Sequence, residues 1–257
     1  MATSESSTRD FFTKHAKGYS NSPSFARGSD LAALLTALKP RETDVALDVA
    51  TGTGFTALFL APHLRKVVGI DITDGMLRQA RRIAKEYHTK NAFFRRGNAM
   101  ALGYPASSFD IVTTRRAAHH FDDVPAFLRE AKRVLRKSGR LGIVDMSPPP
   151  GAEDFTNGIE KLRDASHIWA FSPRDWRAML NDTGFSISSL SILGEPITLE
   201  DWLYPVEGGG REEAAVREAW RSAPAKTRRL LKAHIHDGAI QGWTKDRIVT
   251  VASPKTP

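Results

Sequence analysis

The chain has 257 residues, 41% of them hydrophobic and 26% charged, a composition typical of a soluble globular protein with one main domain. It contains no cysteine, which excludes disulfide bonds, thiolate metal sites and cysteine nucleophiles. Its net charge of +8 would favour the binding of a polyanion such as a nucleic acid. The basic residues, however, lie in short groups along the chain, mostly near acids, and this distribution does not favour nucleic-acid binding.

Apolar strand-like runs alternate with amphipathic helical patterns from residue 44 onward. Strands are predicted at residues 45–50, 67–71, 92–95, 109–114, 140–145, 185–193 and 247–251. Helices are predicted at residues 56–64, 74–87, 153–166 and 173–180, and the clearest one begins at the N-cap Asp123 and ends at Gly139. This alternation is typical of βαβ units, so we predict an α/β fold with a doubly wound, mostly parallel sheet of seven strands.

The sequence has no pattern of a membrane span or a secretory signal. No run of eighteen apolar residues occurs, and residues 1–7 lack a basic stretch followed by an apolar one. We therefore expect a cytoplasmic protein.

A glycine-rich turn follows the first predicted strand, in the segment Asp48-Val49-Ala50-Thr51-Gly52-Thr53-Gly54. Gly52 and Gly54 allow a tight turn and the close approach of a ligand, and the start of the next helix offers free N–H groups. Asp71 ends the second strand, nineteen positions after Gly52, where a doubly wound sheet places a carboxylate that can accept both hydroxyls of a ribose. The pattern predicts a nucleoside ligand, although a tight turn without a ligand would need the same glycines.

Two kinds of nucleoside fit this turn. The segment from Gly52 to Ala57 also fits the dinucleotide fingerprint of a nicotinamide oxidoreductase. Asp48 favours an aminoacyl nucleoside, because its carboxylate can orient the cationic amino group of a methionine moiety and would repel a pyrophosphate.

Four ordered motifs between residues 45 and 145 closely resemble the class I S-adenosylmethionine-dependent methyltransferases, especially the ubiquinone and menaquinone biosynthesis methyltransferases. The motifs are the glycine turn, Gly69-Ile70-Asp71, Gly97-Asn98-Ala99, and Phe109-Asp110-Ile111-Val112 followed by Ala117-Ala118-His119-His120-Phe121. The resemblance implies a Rossmann-like fold with a helical cap, S-adenosylmethionine as the cofactor and methyl transfer to a small-molecule acceptor. A nucleic-acid methyltransferase and a non-catalytic protein that binds S-adenosylmethionine remain alternatives.

The resemblance also implies positions for the cofactor. Asp48 and Gly52 would lie near the methionine part, Asp71 on the ribose, and Asn98 with Ala99 at the adenine. The family usually has an acid where this chain has Asn98, whose amide oxygen can still accept the adenine amino proton. The remaining cofactor contacts that we predict are Tyr19, Ala50, Gly54, Ile72, Met76 and Arg115.

His119 and His120 follow the fourth predicted strand, at the sheet edge where ligands of open α/β sheets bind. Either histidine could act as a general base, contact the acceptor, or have only a structural role. Arg115 and Arg116 precede this pair and could bind an acceptor anion or the cofactor's carboxylate, or form surface salt bridges.

The sequence predicts three parts within the single domain 1–257. Residues 1–30 resemble a cap that closes over the cofactor, residues 31–150 form the cofactor-binding core, and residues 151–242 supply a lid and an acceptor pocket. In the last part, Arg163, His167 and Trp169 combine cationic, hydrogen-bonding and aromatic groups that suit a partly apolar acceptor, although Trp169 could simply pack against the sheet. The eight histidines are scattered, so no metal site is predicted.

Overall fold

The computed structural model describes residues 4–203 and 210–255. Among these residues, one sheet of eight strands forms the centre of the molecule. Its strands, in spatial order from one edge, are β3 (Ala92–Arg96), β2 (Lys66–Asp71), β1 (Val45–Val49), β4 (Phe109–Arg115), β5 (Leu135–Met146), β8 (Ala239–Pro254) and β6 (Phe185–Thr198), with the short β7 (His234–His236) paired to β8.

The pairing pattern confirms the predicted α/β, mostly parallel sheet. Strands β1 to β5 pair in parallel, whereas β8 runs antiparallel to both β5 and β6. The sequence predicted seven strands and missed β7, whose three residues are all exposed and so carry no apolar pattern. Because β2 and β4 lie on opposite sides of β1, the strand order reverses there and opens a crevice at the carboxyl ends of β1 and β4.

Helices cover both faces of the sheet, as a doubly wound fold requires. On one face, α3 (Ser29–Leu38), α4 (Phe55–Leu60) and α5 (Asp74–Glu86) bury leucine and isoleucine side chains against β1, β2 and β4. On the other face, α6 (Val124–Val134) and α8 (Pro173–Asp182) bury Phe127, Leu128, Trp176 and Leu180. Burial of each such side chain contributes roughly 1.5–3 kcal/mol, and this holds the strand ends in place.

The α6 helix starts where the sequence predicted and ends earlier. The Asp123 carboxylate accepts a hydrogen bond from the Ala126 N–H at 2.8 Å and so caps the helix. The predicted end at Gly139 is wrong, because the carbonyls of Arg133 and Val134 accept N–H bonds from Ser107 and Ser108 instead of continuing the helix. Gly139 lies within β5 as a result.

Two outer parts of the chain enclose the crevice. The N-terminal part consists of α1 (Ser4–Ser20), which packs against α5, and α2 (Pro23–Arg27). The other part consists of α7 (Glu153–Arg163), α9 (Leu199–Leu203), α10 (Arg211–Ser222) and α11 (Ala225–Leu230) around the buried indoles of Trp202, Trp220 and Trp243. Within the described ranges, no helix is long and apolar enough to cross a membrane.

Candidate functional site

A cavity of about 440 Å³ lies at the carboxyl ends of β1 and β4. Its size falls within the range of small-molecule sites, about 300–1,000 Å³. The sequence-predicted residues that line it are Tyr19, Ala50, Gly52, Asp71, Ile72, Met76, Asn98, Ala99, Arg115, His119, His120, Arg163 and His167. Three predicted site residues, Asp48, Gly54 and Trp169, do not line it.

The two glycines of the turn have different surroundings. At Gly52, with φ +53°, an added Cβ would meet no atom within 4 Å, so this position faces open space. At Gly54, with φ +84°, an added Cβ would lie 2.9 Å from the Phe94 ring and 3.0 Å from the Ala80 methyl. Gly54 therefore allows α4 to pack against α5 and β3. It does not line the cavity, and its contact with the cofactor stays a prediction.

Asp71 is held in a fixed orientation at the cavity wall. One carboxylate oxygen accepts the Gly52 N–H and the other accepts the Thr73 N–H, both at 2.8 Å. Burial raises the pKa of this carboxyl, and the two backbone N–H groups oppose that rise. Each oxygen keeps a lone pair, so the carboxylate can accept two further hydrogen bonds from a diol.

Asp48 lies beneath the turn rather than at the cavity. Its side chain is 1% exposed, and its two oxygens accept hydrogen bonds from the hydroxyls of Thr51 at 2.6 Å and Thr113 at 2.8 Å. Burial raises the pKa of Asp48 to about 6. Because β1 and β4 pair closely enough for Thr113 to bind the carboxylate, Asp48 does not line the cavity, and its position near the methionine part of the cofactor stays a prediction.

Apolar and amide groups form the adjacent wall. Met76 is buried against Tyr19 of α1, so the N-terminal part closes over this side of the cavity. The Asn98 amide oxygen accepts the Met100 N–H at 2.8 Å and retains one lone pair.

His119 forms a pair with Asp145, which the sequence analysis missed. The Asp145 carboxylate, 1% exposed at the end of β5, lies 2.5 Å from Nδ1 of His119 and also accepts the Met146 N–H at 2.7 Å. Burial opposes ionisation of Asp145, but the charge and hydrogen bond of His119 bring its net pKa below the ordinary value. With Nδ1 bound to a carboxylate, Nε2 is the ring nitrogen left to accept a proton. A carboxylate at the end of the strand beside β4 is the signal that could have revealed this pair.

His120 and His167 have different environments from His119. Nδ1 of His120 donates to the Ser166 carbonyl at 3.0 Å, and Nε2 of His167 donates to the Asn157 side-chain oxygen at 2.7 Å. Burial and the neighbouring His119 lower the pKa of His120 to about 4 and that of His167 to about 3. Both rings are neutral at neutral pH and are engaged in structural hydrogen bonds.

Arg115 holds the N-terminal part to the sheet. Its guanidinium makes two hydrogen bonds to Asp30, at 2.8 and 3.0 Å, and two more to the carbonyls of Ser24 and Phe25. The side chain borders the cavity, and four of its five N–H donors are used within the protein, so its contact with the cofactor stays a prediction. Arg116 also binds Asp30, at 2.8 Å.

The far end of the cavity is built by α7, α9 and β8. The Arg163 guanidinium lies 5.0 Å from the Trp202 ring and donates to the Trp202 carbonyl. Glu160 accepts hydrogen bonds from Lys245 at 2.7 Å and from the Trp202 indole at 3.1 Å. The backbone N–H of Trp169 donates to the His119 carbonyl at 3.1 Å, and its side chain does not line the cavity, so its contact with the acceptor stays a prediction. In the part of the chain described, no group of three or more acids and histidines could hold a metal ion.

Known proteins match this chain in sequence and fold. Residues 47–143 match the family model described as a methyltransferase domain. The chain is 36% identical over 194 residues to the uncharacterized methyltransferase YcgJ of Bacillus subtilis, covering 75% of this chain and 77% of that protein. The crystal structure of the YcgJ protein has a TM-score of 0.85 at 28% identity, covering 89% of this chain and 99% of that one. A demethylmenaquinone methyltransferase of Lactobacillus johnsonii is 35% identical over 138 residues, about half of each chain.

Proposed function

Because the chain belongs to the class I S-adenosylmethionine-dependent methyltransferases, we propose that it transfers the methyl group of S-adenosylmethionine to a small-molecule acceptor held in the same cavity. The observation that carries this proposal is the continuity of one cavity from Gly52 and Asp71, past His119, to Arg163 and Lys245. A donor at the first end and an acceptor at the second would meet beside the His119 ring, and this proximity supplies much of the rate enhancement.

The first end of the cavity fits an aminoacyl nucleoside. Asp71 offers two oriented oxygens to a ribose diol, and the open space at Gly52 leaves room for a ligand close to the backbone. Asn98 offers an amide to the base, and the apolar wall beside it consists of Ile72, Met76 and Ala99. Bound S-adenosylmethionine supplies a methyl group on a sulfonium sulfur, which keeps the electron pair of the broken carbon–sulfur bond.

The second end of the cavity supports a small acceptor. Phe12 of the proposed cap, residues 1–30, lies on one side of it, and Arg163 and His167 of the proposed acceptor region, residues 151–242, lie on the other. A nucleic-acid acceptor would favour an open surface of unpaired cations, whereas Lys245 and Arg247 are each paired with a buried or half-buried acid. The similarity to a demethylmenaquinone methyltransferase also favours a small acceptor.

His119 is the proposed general base. Its Nε2 would take the proton of the acceptor atom as that atom bonds to the methyl group, and Asp145 would stabilise the imidazolium that results. We propose His119 rather than its neighbours, because burial and the charge of His119 lower the pKa of His120 to about 4 and that of His167 to about 3, which makes both weaker bases.

Calorimetric titration of the purified protein tests the donor site. We expect S-adenosylmethionine and S-adenosylhomocysteine to bind at one site, and NAD not to bind. Asp71→Asn removes a charge-assisted acceptor and should weaken S-adenosylhomocysteine binding by about 1–3 kcal/mol. The matched control is Asp74→Asn, the same change at an exposed residue outside the cavity, which should bind normally. Equal affinities of the two variants would remove Asp71 from the site.

A further inference from the structure

Positive side chains converge on the second end of the cavity. Arg163 ends α7, Lys245 and Arg247 belong to β8, and Arg116 follows β4. The side chains of Arg116, Arg247 and Lys245 are 6%, 8% and 12% exposed. These charges are therefore buried in the walls of the cavity, and a buried charge needs a compensating partner.

The acids within the protein do not fully compensate these cations. Lys245 pairs with Glu160, and Arg247 pairs with Glu195. Arg115 and Arg116 share the single carboxylate of Asp30.

Arg163 has no carboxylate partner among the described residues, since its guanidinium donates to a backbone carbonyl. The remaining buried acid at this end, Asp164, accepts hydrogen bonds from the N–H and hydroxyl of Ser166. Asp201 also lines the cavity, but it is exposed and accepts a hydrogen bond from the Thr198 hydroxyl. Apart from this exposed acid, five cations face four carboxylates, which leaves a surplus of one positive charge in the walls of the cavity.

Two guanidinium nitrogens in this group have no hydrogen-bond partner within the described chain. They are Nη2 of Arg116 and Nε of Arg163, and both are buried. An unsatisfied buried donor costs roughly 1–3 kcal/mol, more when it is charged, so both guanidinium groups lack part of the compensation that a nearby anion would supply. Burial, and next the charge of Arg116, lower the pKa of Arg247 to about 9, which indicates that the cations lie close enough to repel one another.

We propose that the acceptor is a carboxylic acid, bound as its monoanion by Arg116 and Arg247 with Arg163 at its side. A single negative charge matches the surplus, and the planar guanidinium fork matches a carboxylate. The apolar remainder of the acceptor would contact Trp202 and Ile197, which line the same end. This inference rests on the proposed function, because it names the substrate class of the same site.

The carboxylate bound by these cations could belong either to the acceptor or to the methionine moiety of the donor. The experiment distinguishes the two. Calorimetry first establishes that S-adenosylhomocysteine binds; failure at this step would overturn the proposed function itself. Protein saturated with S-adenosylhomocysteine is then titrated with benzoate, phenylacetate and hexanoate, and with the neutral amide of each, by ligand-observed NMR.

We expect at least one carboxylate to bind the saturated protein tenfold or more tightly than its amide. Equal binding of every acid and amide overturns the proposal. A preference for the acid that disappears once S-adenosylhomocysteine is bound overturns it as well, because the cations would then serve the donor.

Arg247→Gln should abolish the preference for the carboxylate and leave S-adenosylhomocysteine affinity unchanged. The control is Arg133→Gln, the same change in a half-exposed arginine of α6 outside the cavity, which should keep the preference. An unchanged preference in folded Arg247→Gln overturns the assignment. If that variant does not fold, the comparison of acids with amides on the wild-type protein decides the question alone.

Discussion

At this site, the chemical role that a residue can take depends on its hydrogen-bond partner. His119 and His120 are adjacent in sequence and their rings lie 4.1 Å apart, yet Nδ1 of His119 meets a carboxylate and Nδ1 of His120 meets a backbone carbonyl. An imidazole bound to a carboxylate through Nδ1 presents a basic Nε2. The partner at Nδ1 therefore makes His119 the candidate base.

Removal of the base or of its partner should affect turnover rather than donor binding. With any acceptor found by screening, His119→Ala should lower kcat by about a hundredfold or more, because proton transfer to a positioned group contributes that much. Asp145→Asn should also lower kcat, since an amide donor at Nδ1 favours the tautomer that protonates Nε2. Both variants should keep the wild-type affinity for S-adenosylhomocysteine.

Nitrogen-15 NMR of the histidine rings gives a control that needs no acceptor. The proton of His119 should reside on Nδ1 in the wild-type protein and move to Nε2 in Asp145→Asn. Normal turnover in both variants, with folded protein, would exclude His119 as the base.

At the scale of elements, the two glycines of the turn between β1 and α4 have different roles: we expect one to contact the ligand, and the other allows helix packing. Ala50 already has φ 54°, so this turn accepts a side chain at a left-handed position where space allows. The space differs at its two glycines, since one faces the cavity and the other faces Phe94.

Alanine at each glycine should therefore have a different effect. Gly54→Ala should lower the free energy of unfolding by about 2–4 kcal/mol, because overpacking against Phe94 adds to left-handed strain. Gly52→Ala should cost only about 1 kcal/mol of stability, from strain alone, and weaken S-adenosylhomocysteine binding more than tenfold.

Urea unfolding without ligand and calorimetry with ligand measure the two effects. Phe94→Leu should relieve part of the cost of Gly54→Ala in a double-mutant cycle. The assignment of Gly52 to the ligand fails if Gly52→Ala binds S-adenosylhomocysteine as the wild-type protein does.

The sequence was sufficient for the features that depend on local pattern. The parallel strands, the glycine turn and the Asp123 cap follow from hydrophobic periodicity and from residue types suited to one position. It was insufficient where a partner lies far along the chain. Asp48 meets Thr113 across 65 positions and Arg115 meets Asp30 across 85, and such distant partners leave no local sequence pattern.

At the scale of the whole molecule, a buried cluster of Asp30, Arg115 and Arg116 joins the N-terminal part to the sheet. Asp30 lies in the first turn of α3 and is 1% exposed, and its carboxylate accepts hydrogen bonds from both Arg115 and Arg116 at the end of β4. Two carbonyls of α2 accept further hydrogen bonds from Arg115. Since α1 and α2 cover the cavity, this ion pair fixes the cover in position.

Removal of that carboxylate should loosen the cover more than the sheet. Asp30→Asn leaves two buried arginines without an acid, a change that typically costs about 3–5 kcal/mol. Hydrogen exchange should accelerate in residues 8–38 and remain slow in β1 and β4, because the break is local. Asp10→Asn, the same change at an exposed residue of α1, should alter stability by less than about 0.5 kcal/mol.

The pH dependence of this difference provides an independent measurement. Burial disfavours the Asp30 anion, but the two arginines dominate and lower its pKa to about 2. A carboxyl whose pKa is lower in the folded than in the unfolded state stabilises the fold above its unfolded value, near 3.8, and this stabilisation is lost as the pH falls through about 2. The stability gap between the wild-type protein and Asp30→Asn should therefore be constant from pH 7 to pH 5 and shrink only in strong acid. A gap that closes near neutral pH, or exchange that accelerates equally in the cover and in β1, would show that Asp30 does not hold the cover.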